Sequence, residues 1–195
     1  RNVAGFARLE LALYGDPLPD ADRQMARASV ISAADRFVSY QKKQGFGYIY
    51  RPKGGIFAWG SNHLMLQNLL VTAAAFDLTG EKHYLAAARE AMDYLLGRNP
   101  MNISYITGYG TAFAHNQHSR WYAHQLNPAL PSPPAGSLAG GPNATLADPV
   151  ALEKLAGCAG SRCYIDDIGA WGVNEITINW NAALLQAASF LADAQ

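Results

Sequence analysis

Apolar residues spaced three and four apart in five blocks, Ala-rich helix faces and matching stops between neighbouring blocks predict an all-α chain of paired helices, an α/α toroid. The blocks are residues 3–14, 22–44, 61–78, 81–96 and 174–194. The first ends in YGDP at Tyr14–Pro17, and the third ends in LTGEKHY at Leu78–Tyr84. In both turns a glycine closes one helix and an acidic residue can open the next. No stretch alternates apolar and polar residues as a half-buried strand would, and only residues 48–50 suggest a short extended piece. Residues 99–173 break the helical rhythm, and the run PALPSPPAGSLAGGPN within them is too rich in Pro and Gly for regular helix. Irregular segments of that length in a compact domain are usually functional or disordered. The expectation is therefore long loops at one end of a helical barrel, forming one side of a cleft.

With 195 residues, half of them hydrophobic, the chain can build one sizeable core. Fifteen Lys and Arg balance fifteen Asp and Glu, so nothing electrostatic favours nucleic acid or an anionic membrane as a partner. No apolar run approaches the roughly eighteen residues needed to span a bilayer.

The most informative segment is YIDDIGAWGVNEITINWNA, which sets Asp166, Asp167 and Glu175 beside Tyr164, Trp171 and Trp180, just before the last apolar block. Ring faces stack on the apolar faces of sugars, and an apolar surround raises a carboxyl pKa until it can donate a proton. On the residues alone a second reading stands beside this one. Glu175 then merely favours a helix N-terminus, and the aromatics are core.

This segment resembles the C-terminal active-site signature of family 9 glycoside hydrolases, the inverting cellulases. Tyr164, Asp166, Trp171, Glu175, Thr177, Asn181 and Ala182 fill its positions. SYITGYGTAFAHNQHSR is similar to the family's other signature through Ser104, Ile106, Thr107, Gly110, His118 and Arg120. It departs at Ala112, where a polar or basic residue is usual, and at Gln117, where Pro or an aliphatic residue is usual. WGSNHLMLQN, DYLLGRNPMNISYITGYG and GGPN also look like the family, so the resemblance covers the chain from about Gly45 onward and, more loosely, the helices before it.

The resemblance implies an (α/α)6 barrel and hydrolysis of β-1,4-glucan, cellulose or a related chain, by single displacement with inversion. Glu175 would be the general acid, with Asp166 as the second signature carboxylate, touching substrate or orienting a neighbour. His118 and Arg120 would hold sugar hydroxyls through fixed donors. Tyr164, Trp171, Trp121 and Tyr122 would be stacking platforms or, alternatively, core aromatics. His115 and His124 read as plain loop histidines.

The family's catalytic base lies in an Asp–Ala–Gly–Asp motif that does not occur here; the string at Ala21–Asp22 does not match it. Residues 1–195 are accordingly expected to be the C-terminal portion of a single catalytic domain, inactive without its N-terminal portion. The remaining expectations are a secreted or periplasmic enzyme and no required cofactor. Calcium is a possible addition, with oxygens from Asp148, Glu153, Asp166 and Asp167. Cys158 and Cys163 have three readings: a local disulfide, which suits the family's export; two free thiols; or a zinc site with His115, His118 and His124. Two competing functions remain. One is a non-catalytic glucan-binding or assembly piece. The other is a polysaccharide lyase on the same toroid, which would need a cationic site that the neutral charge balance does not suggest.

Overall fold

The computed structural model describes residues 3–194. Among them are α1 (Ala4–Tyr14), α2 (Asp20–Gln41), α3 (Ser61–Thr79), α4 (Lys82–Leu95), α5 (Pro149–Lys154), α6 (Trp171–Asn174) and α7 (Ile178–Asp193). Two short 3-10 turns lie at Lys53–Gly55 and Gly160–Arg162. The described residues form no strand, only three isolated bridges, and residues 48–50 pair with nothing as a ladder.

The helices pack as sequential pairs because their connections are short. Gly80 and Glu81 alone separate α3 from α4, so the chain turns straight back and the two helices lie together. α1 and α2 pair likewise. The sequence of α3 is apolar around most of its circumference, and it is covered on several sides by α2, α4 and α7. Met65, Leu66, Leu69, Leu70 and Ala73–Ala75 are all buried there. Each large side chain among them stabilises the fold by about 1.5–3 kcal/mol through burial. In α4 one face carries Tyr84, Leu85, Ala88, Ala91, Met92 and Leu95 inward, while Lys82, Arg89 and Glu90 stay outside.

The same core runs on into the long loops through Tyr105, Ile106, Ala114, Leu138, Ala139, Tyr164, Ala170 and Val173. Buried amides tie these loops down. Asn99 donates to the carbonyls of Tyr94 and Ile103, each at 2.8 Å. Asn62 donates to Ala139 at 2.9 Å, and Asn143 to Gly172 at 2.9 Å. Asn143 is fully buried. Irregular backbone can stay ordered here because its polar groups are satisfied by side chains rather than by a ladder.

Three features depart most from the periodicity. α2 runs from Asp20 to Gln41 rather than over 22–44. Two short helices, α5 and α6, interrupt the irregular stretch; α5 is capped by the Asp148 carboxylate, which accepts from the Ala151 N–H at 2.7 Å. The last helix starts at Ile178 rather than at 174, because the Thr177 hydroxyl caps it by accepting from the Trp180 N–H. No described helix is long and apolar enough to cross a membrane. On α7, Ile178 and Leu185 are exposed, and Leu185 borders a groove lined by Met92, Leu96, Ile106 and Tyr109.

Candidate active site

The two sequence signatures, far apart in the chain, lie side by side. The stretch from Phe113 to His118 is extended, anchored at one end where the Ala114 N–H donates to the Ser104 carbonyl at 2.8 Å. At its other end the His118 N–H donates to the Asn174 carbonyl at 2.7 Å, and His118 and Glu175 form a parallel bridge. Glu175 thus sits in an extended link between α6 and the Thr177 cap, with φ −69° and ψ 150°, and not inside the helix. Its side chain is half-buried. The indole N–H of Trp59 donates to its Oε2 at 3.1 Å.

Asn174, the residue before Glu175, holds that link. It is fully buried, and its amide donates to the Asn116 carbonyl at 2.8 Å and to Asp166 Oδ1 at 3.0 Å. Its own oxygen accepts from the Tyr164 hydroxyl at 2.6 Å. Asp166 accepts from the backbone N–H groups of His115 and Asn116 at 3.0 and 2.9 Å, and its Oδ2 lies 3.2 Å from His115 Nδ1. Its oxygens bind the two signature loops together instead of facing a cleft. Asp167 takes a hydrogen bond from Lys154 at 2.9 Å, which holds its carboxyl below the usual range.

His118 donates from Nδ1 to the Ile168 carbonyl at 2.6 Å, which fixes the ring and leaves Nε2 for other work. Arg120 is exposed, and makes no hydrogen bond or ion pair among the described residues. Trp121 is 81% exposed and Trp171 40%, so both present ring area to solvent, as Tyr122 does in part.

Tyr164 is the exception among the expected platforms. It is 2% exposed and packs edge-on against Tyr105 at 4.8 Å, and burial pushes its phenol well above the ordinary range. Its hydroxyl serves Asn174, and no face is open to a sugar.

The metal options find no cage. Both oxygens of Asp148 accept backbone N–H groups, from Ala151 and Gly172 at 2.7 and 2.8 Å. Asp166 and Asp167 are engaged as described, Glu153 is exposed on α5, and no group of three or more His, Cys, Asp or Glu gathers among the described residues. The four carboxylates therefore do not converge on one site. Cys158 and Cys163 are joined as a disulfide, so they are not zinc ligands. Gln117, a departure from the signature, is buried and donates to the Thr107 hydroxyl and to the Ala114 and Ser137 carbonyls.

Two residues central to this geometry were not singled out by the sequence. Trp59 belongs to a quoted string but carries no local sign that it meets Glu175. Asn174 is an ordinary polar residue until its partners fold around it. A buried-amide pattern beside an acid is a structural signal only.

The model of glycosyl hydrolase family 9 matches residues 3–188. Endoglucanase C of Cellulomonas fimi is 50% identical over 195 residues, covering 98% of this chain and 18% of that protein. A cellulose 1,4-beta-cellobiosidase of Acetivibrio thermocellus is 38% identical over 192 residues, covering 96% of this chain and 21% of that protein. A thermostable endoglucanase of Alicyclobacillus acidocaldarius superposes with a TM-score of 0.81 at 27% identity, over 96% of this chain and 35% of that one. A family 9 protein of Bacteroides ovatus gives a TM-score of 0.75 at 29% identity, over 97% and 32% of the two chains. This chain therefore spans about a fifth of the length of those curated relatives and about a third of those solved structures. Family 9 structures are (α/α)6 barrels, and the helix pairs described above are a partial piece of one. On both sequence and fold, this chain belongs to glycosyl hydrolase family 9.

Proposed function

We propose that this chain is the acid-bearing portion of a single catalytic domain that hydrolyses β-1,4-glucosidic bonds in cellulose or a related glucan, with inversion. Glu175 protonates the leaving glycosidic oxygen as its bond to the anomeric carbon breaks. A carboxylate on the opposite face takes a proton from the water that attacks that carbon, leaving an inverted hemiacetal and a shortened chain. The single observation that carries this reading is the setting of Glu175: half-buried, in register with His118, touched by Trp59, on a link that Asn174 pins from three sides. His118 Nε2 and Arg120 supply donors for sugar hydroxyls, and the exposed rings of Trp121 and Trp171 supply stacking area. Asp166 positions the loops.

The base comes from the rest of the domain. Asp148, Asp166 and Asp167 are all committed to N–H groups or to Lys154, so none of these three is offered as a second catalytic group. The same observation favours one further reading, in which the separate chain binds glucan without turning it over. The disulfide suits an oxidising compartment, so a secreted or periplasmic setting goes with the proposal.

The test is Glu175→Gln in this chain joined to the remainder of its catalytic domain. Hydrolysis of unactivated cellulose should fall by about 10²–10⁴, while substrates with good leaving groups keep most of their rate. Equal losses on both substrate types would remove Glu175 as the acid. Turnover by the separate chain would show that it contains a base after all.

A further inference from the structure

We propose that Trp59 is a positioning residue for the acid, its indole N–H selecting which oxygen of Glu175 carries the donated proton. This rests on Glu175 being the acid. An indole N–H donates and cannot accept. Directed at Oε2 from 3.1 Å, it makes Oε2 the carbonyl oxygen of the neutral carboxyl, so the proton resides on Oε1. When that proton passes to the glycosidic oxygen, the new carboxylate holds the same N–H more strongly, because hydrogen bonds to charged groups are the stronger kind. Trp59 therefore orients the acid and also stabilises its spent form.

The ring is well placed to do this because it is itself held. Trp59 meets Trp180 edge to face, with centroids 5.0 Å apart and planes at 64°. Trp180 is 2% exposed and lies in a slot between two glycines. A Cβ on Gly60 would lie 2.8 Å from its ring, and one on Gly140 would lie 2.9 Å from it. Gly60 also has φ +73° as it opens α3, which only glycine adopts without strain. Support thus runs from two glycines to Trp180, to Trp59 and to the carboxyl, while the backbone of Glu175 is fixed separately by His118 and Asn174.

The elements that meet the Glu175 link or the Trp59–Trp180 pair carry these charged and titratable groups. The 113–120 stretch brings His118, His115 and Arg120; the 164–170 loop brings Asp166, facing His115, and Asp167, paired with Lys154; α3 brings His63, stacked on Trp180. The first turn of α7 brings none. Removing only the indole N–H leaves all of these unchanged, so they cannot account for a shift that follows it.

The decisive replacement is 3-benzothienylalanine at Trp59, incorporated into the complete catalytic domain, which keeps the ring and exchanges N–H for sulfur. Loss of a donor to the carboxylate raises the proton affinity of Glu175, so the alkaline limb of the kcat/KM profile should move up by about half to one pH unit. At the optimum, kcat on cellulose should fall several-fold and that on activated substrates should hold. Trp59→Phe should move the limb in the same direction, a check that does not depend on the unnatural residue. An unmoved limb, even with lost activity, would reduce Trp59 to packing or sugar contact and overturn the proposal. If Glu175→Gln spares cellulose hydrolysis, the acid assignment itself is what fails, whichever limb Trp59 moves.

Discussion

Replacing Asn174 by Ala removes the brace behind Glu175, and the size of the effect follows from its three shortest side-chain hydrogen bonds. The lost partners are the Tyr164 hydroxyl at 2.6 Å, the Asn116 carbonyl at 2.8 Å and Asp166 Oδ1 at 3.0 Å. At about 1 kcal/mol net each, they sum to roughly 3 kcal/mol. The Tyr164 hydroxyl is then left buried without a partner, which costs about 1–3 kcal/mol more. Asp166 suffers less, since it keeps the N–H groups of His115 and Asn116. Tyr164→Phe should cost about 1.5–3 kcal/mol, from one lost bond and an orphaned amide oxygen. In the double variant that hydroxyl no longer exists to be stranded, so its total should fall short of the sum of the singles by about 1–3 kcal/mol. Urea unfolding of the four proteins, compared at common m-values, measures the cycle. A loss below about 1 kcal/mol for Asn174→Ala, or additivity within about 0.5 kcal/mol, would refute the brace.

Two other expectations concern the loops around the site. Because Lys154 depresses the Asp167 pKa, the stabilisation is present above the ordinary carboxyl value and is lost as pH falls through the lowered one. Lys154→Met should therefore cost stability at neutral pH and flatten acid unfolding below about pH 4, and an unchanged acid transition would contradict the pairing. Replacing Cys158 and Cys163 together by Ser opens a loop closed across a separation of 5 residues, and should cost about 2 kcal/mol in thermal or urea unfolding if the chain-entropy account holds.

The helices were legible in the sequence because each is specified locally, by apolar spacing and by turns such as YGDP and LTGEKHY. Their ends were less so. α7 begins three residues after Glu175 because the Thr177 hydroxyl outcompetes continuation of the helix, a matter of one side-chain bond. Glu175 was singled out through the spacing of the signature it belongs to, which lies within one short stretch of chain. Trp59 and Asn174 were not, since their significance lies in contacts with residues distant in the chain or in burial that the local pattern does not show. For Tyr164 the two readings stayed open for the complementary reason. An aromatic beside carboxylates looks the same in sequence whether its face meets solvent or, as here, Tyr105.

The four tryptophans of the chain make the surroundings of Glu175 their own optical reporter. Trp121 follows His118 closely, Trp171 and Trp180 flank Glu175, and Trp59 touches it, whereas α1, α2 and α4 contain none. Intrinsic emission from this chain therefore describes the surroundings of Glu175 and is blind to α1, α2 and α4. Trp180, enclosed, and Trp121, 81% exposed, sit at opposite ends of the polarity scale. Loosening of the Trp59–Trp180 pair and covering of Trp121 would shift the spectrum in opposite directions, to the red and to the blue. Circular dichroism follows the helices, so comparing the two signals separates disorder of the site from unfolding of the scaffold without any added label.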